Sequence, residues 1–194
     1  MGISRLFWLL AILSLCACAA SSPQEPPAPD RREVVALSDA ILALGPGVDP
    51  EEAERAARIA FSYSRQLARE YRITDPPLIH NAKINLGLRE RGLCYHWAED
   101  IEARLLEENF RTLVLHRAIS PDRPFRIEHS TAVISRKGDG LHDGVVLDPW
   151  RMGGRLFWSP VREDTAYDWQ RAAKVLDARW HAREARRQRA TASP

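Results

Sequence analysis

Residues 92–100 read GLCYHWAED, and they place Cys94 where a helical pattern begins. A thiol at a helix N-terminus meets the positive end of the helix dipole and unpaired backbone N–H groups, both of which favour thiolate over thiol. Glu99 and Asp100 lie within the next two turns and oppose a thiolate, so Cys94 needs a cationic partner. His129, in EHSTAVI, follows 35 residues later, and Asp148, in VVLDPWR, 19 residues after that. A nucleophile, a base and a carboxylate that orients the base make up the machinery of acyl transfer: Cys94 attacks an amide or ester carbonyl, His129 protonates the leaving group, and a thioester results. Water as acceptor makes the reaction a hydrolysis; an amine makes it a transfer. The competing reading of Cys94 is a small buried hydrophobe.

The other two cysteines belong to the N-terminus. Arg5 precedes the apolar run LFWLLAILSL at 6–15, about half the length that spans a bilayer, which reads as the h-region of an export signal. The run ends in LCAC at 15–18, which resembles the lipobox of bacterial lipoproteins. That resemblance implies a signal peptide over 1–17 and Cys18 as the lipidated first residue, with Cys16, cleavage after Ala20 or an uncleaved anchor as the alternatives. Residues 18–32, rich in Pro, Ser and Ala, read as a disordered tether. In a Gram-negative cell Ala19 after the lipidated residue carries no retention Asp, which implies the periplasmic side of the outer membrane. Cys94 is then the one remaining thiol, in an oxidising compartment where a lone cysteine calls for a reason. Lys and Arg number 28 against 26 Asp and Glu, for a net charge of +2, so nothing demands a nucleic-acid partner. The length fits one domain, over 33–182, followed by a basic tail over 183–194 that reads as frayed and flexible.

Four helices are predicted ahead of a sheet. Apolar residues at 34, 37, 41 and 44 give the first. Asp49, Pro50 and Glu52 open a second that runs to Tyr71, with Ala56, Ile59, Ala60, Tyr63 and Leu67 on its apolar side. A third covers 78–88, and Trp97, Ile101 and Leu105 carry a fourth from Cys94 to about Glu108. The period then changes to that of strands over 111–119, 125–135, 144–150 and 154–161. The loop 136–144 is short enough for an antiparallel pair, and the midpoint of His129 and Asp148, 138.5, falls within it, so the hairpin brings the two together. The same loop could instead hold the catalytic groups apart. Trp169, Ala173, Leu176 and Trp180 mark a C-terminal helix.

A Cys opening a helix, followed by antiparallel strands that offer His and then Asp, resembles the transglutaminase-like superfamily of papain-like cysteine enzymes. The resemblance rests on GLCYHWAEDIEARL, EHSTAVI and VVLDPWR, within 78–161. It implies an α+β fold in which the helix carrying Cys94 packs on an antiparallel sheet, with Cys94, His129 and Asp148 as the triad. Papain-like enzymes also use a side-chain amide upstream of the Cys as an oxyanion donor; Asn85 comes first here and Asn81 second, beside the Cys94 N–H itself. Some members use an aromatic donor, for which Trp97 is placed, although packing is its other job. The resemblance implies a protein or cell-envelope peptide as substrate and no cofactor.

Trp150 and Trp158 could line a substrate groove, or fill a core. Arg151 could greet a carboxylate, or be solvated. His80, His96, His116, His129, His142 and His181 show no HxH or HExxH spacing, which argues against a metal site. The reading from a different class is a binding or scaffold module that keeps the fold without turnover.

Overall fold

The computed structural model describes residues 28–124 and 126–192. The export signal and Cys18 lie outside these residues. Helix α1 (Arg31–Leu42) starts two residues before the expected domain boundary, because Asp30 caps it: its carboxylate accepts from the Arg32 N–H at 3.2 Å while Glu33 accepts from the Asp30 N–H at 3.0 Å. Helix α2 (Pro50–Glu70) opens on the Asp49 cap and Pro50 as the sequence indicates. Its buried stripe of Ala53, Ala56, Ala57 and Ala60 lets neighbouring elements approach closely. Glu52 in its first turn is buried and accepts from the N–H groups of Arg111 and Thr112 at 2.7 and 2.9 Å and from the Thr112 hydroxyl at 2.5 Å. One carboxylate therefore ties the start of α2 to the entry of the sheet. Helices α3 (Pro77–Asn85) and α4 (Cys94–Leu106) follow.

The sheet is built from β1 (Leu113–Ser120), β2 (His129–Arg136), β3 (Val145–Met152), β4 (Arg155–Pro160) and β5 (Gln170–Arg171), in the order β4-β3-β2-β1-β5, antiparallel throughout. Central β2 is buried from His129 to Ser135. Alternation sends Ala132, Ile134, Val145 and Leu147 to the face covered by α2 and α4, and Val133 and Val146 to the other face, where Leu141 and Trp169 pack. Strand β2 is shorter at its start than expected, and β5 is an addition at the β1 edge. Trp169 does not belong to the C-terminal helix; it precedes β5, and α5 begins only at Ala172. Helix α5 (Ala172–Ala192) continues through the segment expected to be frayed, since its run of Ala, Arg, Glu and Gln has high intrinsic helix propensity. No helix of the described residues is long and apolar enough to cross a membrane.

Candidate active site

Cys94 is the first residue of α4, and the turn before it is fixed from three sides. Trp97 donates its indole N–H to the Gly92 carbonyl at 2.9 Å, and His80 on α3 donates Nε2–H to the Arg91 carbonyl at 2.9 Å. His96 reaches back as a cap: its Nδ1 accepts from the N–H groups of Gly92 and Leu93 at 3.1 and 3.3 Å. Burial, assisted by the nearby Arg91 charge, lowers the His96 pKa and keeps Nδ1 an acceptor. The next N–H groups, those of Cys94 and Tyr95, belong to the first turn of α4, where a helix offers no intrahelical acceptor. The acids expected to oppose a thiolate are themselves paired. Asp100 accepts from Arg91 at 2.8 Å and from the Tyr71 hydroxyl, and Glu99 faces Arg117 at 3.4 Å.

Gly92 has φ +120°, and a Cβ there would lie 2.5 Å from Nε2 of a buried His80 ring that its own hydrogen bond holds in place. Gly92→Ala is expected to destabilise the protein by at least about 2 kcal/mol, from backbone strain and the clash together. Urea denaturation at neutral pH measures this; a loss under about 0.5 kcal/mol, typical of surface changes, would show that the turn can open.

His129 begins β2 and Asp148 lies in β3. The ladder pairs Ala132 with Leu147 and Val133 with Val146, which sets Asp148 opposite the residue two after His129. Residues i and i+2 share a face, so the two side chains are diagonal neighbours. The His129 Nε2–H donates to Asp148 Oδ2 at 2.6 Å, with both residues buried. Burial alone opposes a charged ring, but the Asp148 charge and hydrogen bond overcome it, with help from Cys94, and the His129 pKa is pushed up to about 9. Asp148 thereby takes Nε2 and leaves Nδ1 for the thiol. Nδ1 is buried and makes no hydrogen bond with a described residue, and half-buried Cys94 lies on the same side of the site, in the cluster that contains Trp150. The ring stacks against Trp150 and Tyr167, each with its centroid 4.6 Å away, and Trp150 also packs into the cluster that includes Cys94.

Behind Asp148 lies a support that the sequence did not announce. Arg151 donates Nε–H to Asp148 Oδ2 at 3.0 Å and its own backbone N–H to Oδ1 at 3.1 Å. Its fork grips Asp164 with bonds of 3.1 and 2.8 Å, and Trp169 donates to the same carboxylate at 3.0 Å. Asp164 is buried, which would raise its pKa, yet Arg151 and Trp169 hold it below the usual carboxylate range. The guanidinium is stacked between Phe157 and Tyr167, at 3.9 and 4.8 Å. Arg151 does greet a carboxylate, but those of its own chain.

The remaining site residues divide. Asn81 accepts from the Trp150 indole N–H at 3.2 Å through Oδ1, which leaves its NH2 as a donor beside the ring stack. Asn85 is exposed at the end of α3, so Asn81 is the better placed amide of the two. Trp97 is buried and spends its N–H on Gly92, which takes it out of contention as an oxyanion donor. Trp158 is paired with Leu147 and packs into the core under α2 and α4; its neighbour Phe157, of opposite parity, is the one that reaches the site. Loop 136–144 lies at the other end of β2 from His129, about 23 Å along the strand. Among the described residues no group of three or more His, Cys, Asp or Glu gathers as a metal site would require. Asp164 and Tyr167 escape the sequence reading, and His96 enters it only among the histidines weighed for a metal site; its capping of the N–H groups at i−4 and i−3 is not indicated there. No family model, curated protein or solved structure matches the chain.

Proposed function

We propose that the protein is a cysteine-dependent acyl-transfer enzyme of transglutaminase-like fold, acting on a protein or cell-envelope peptide. The observation that carries the reading is a buried imidazole with Nε2 on Asp148 and Nδ1 left toward a thiol at a helix N-terminus. In the reaction Cys94 Sγ bonds to the carbonyl carbon, and the developing oxyanion takes hydrogen bonds from the Cys94 N–H and the Asn81 amide. The C–N or C–O bond breaks as His129 delivers its proton to the leaving group, and a thioester remains. His129, now neutral, accepts a proton from water or an amine, which attacks the thioester and restores the thiol. Lipidation of Cys18 and a place on the periplasmic side of the outer membrane belong to the same proposal, which rests on the N-terminal sequence alone.

An activated ester tests the nucleophile directly. Incubation of the protein with a p-nitrophenyl acyl ester should add one acyl mass on the peptide containing Cys94, at a rate that falls when Asp148 is changed to Asn. Acylation elsewhere, or none, would favour a binding module, for which the unformed bond at Nδ1 is the supporting observation.

A further inference from the structure

A cleft of about 500 Å³ opens beside the catalytic ring, and Trp150 and Tyr167, the two residues stacked on His129, form its inner wall. Its outer wall is apolar and uncovered: Leu78 and Ile127 are 60% and 49% exposed, an unfavourable state for side chains of that size unless something covers them. The cleft has two charged residues, both arginines, and no acid. They are not equivalent. Arg151 is committed to Asp148 and Asp164. Arg126 is exposed and makes no ion pair with any described residue, whereas Arg123 and Arg179 are paired with Asp168 and Glu128. The backbone N–H and C=O of Arg126 exchange hydrogen bonds with Arg123 at 2.9 and 3.0 Å. Its guanidinium lies 6.0 Å from the centre of the Tyr167 ring.

We propose that this cleft selects a peptide group bearing an apolar side chain next to a carboxylate, with Arg126 as the residue that reads the carboxylate. The proposal rests on the reading of Cys94 as nucleophile for its place in a reaction, but not for the binding itself. An unpaired cation over an apolar, acid-free surface favours an anion with a hydrophobic neighbour over its neutral counterpart, because the charge gains a partner while the apolar part is removed from water. A neutral peptide segment would leave Arg126 as it is and forgo that gain.

N-acetyl-leucine and N-acetyl-leucinamide differ only in this charge. Titrated into the protein and followed by the Trp150 indole N–H resonance, identified by its loss in Trp150→Phe, the acid should bind about fivefold tighter than the amide. Arg126→Gln should erase that difference, and added salt should reduce it. The corresponding bromoacetyl-leucine and bromoacetyl-leucinamide should show the same preference in alkylating Cys94, again lost in Arg126→Gln. Equal binding of acid and amide, or a preference that survives Arg126→Gln, overturns the assignment. A preference that depends on Arg126 while Cys94 alkylation ignores His129 upholds the cleft and defeats the nucleophile, so the two failures are separable.

Discussion

Alkylation of Cys94 by iodoacetamide at pH 6.5 is expected to slow by between about tenfold and a hundredfold when His129 is replaced by Ala. The range follows from the chemistry of the pair. A thiol of ordinary pKa, about 8.5, is about 1% thiolate at that pH, whereas a thiol facing an imidazolium can be almost wholly ionised; the lower basicity of a paired thiolate then gives back roughly a factor of ten. The His129 ring is charged below about 9 because Asp148 holds its proton against the cost of burial. Rapid labelling should therefore persist through neutral pH in the unaltered protein and change character again near 9, where the ring loses its proton. Peptide mapping separates Cys94 from Cys16 and Cys18. Equal rates for the two proteins at pH 6.5 would remove the ion pair and with it the proposed chemistry.

Arg151→Met should cost about 3–5 kcal/mol of stability at neutral pH, the usual penalty for leaving buried charge without its partner. Methionine fills much of the same volume between Phe157 and Tyr167, so the loss is chiefly electrostatic. Asp164, nearly inaccessible, would lose its cation and face Trp169 alone, while Asp148 would keep only His129. The pH dependence distinguishes this account from loss of packing. In the unaltered protein Asp164 is held below its ordinary value, so its contribution is present above the unfolded pKa of about 3.9 and is lost as pH falls through the depressed value. In Arg151→Met the uncompensated Asp164 carboxylate gains from protonation, so the deficit should narrow as pH falls from 7 toward 4.5. Arg151→Lys should fall between the two proteins, since one ammonium cannot reproduce the fork on Asp164 together with the Nε bond to Asp148. Urea unfolding across that pH range measures all three. A deficit that is small, or the same at both pH values, would reduce the network to packing.

The parts of this protein that the sequence determined by itself are those set by short-range physics. The cap and proline at Asp49 and Pro50, the apolar spacing of α2 and α4, and the change to period two after Asn109 are written within a turn or two of where they act, and they suffice for an α+β fold with helices before an antiparallel sheet. The pairing of β2 with β3 was also legible, because a short loop leaves few alternatives. Its register differs by two residues from the midpoint expectation, yet His129 and Asp148 stay on one face because a shift of even length preserves the alternation. Where the sequence fell short, the deciding partner was distant or the choice was between two faces. Trp158 and Phe157 are adjacent and similar, and only the packed sheet sends the first to the core and the second to Arg151. Arg151 reads locally as a surface charge; only the return of the chain through Asp164 and Trp169 encloses it between carboxylates. The stacking of Trp150 and Tyr167 on one imidazole, and the opening of a cleft beside them with Arg126 unpaired among the described residues, depend on where whole elements come to rest. Local energies choose the elements, but the environment of a charge is made by residues far apart in the chain, and only the tertiary structure brings those together.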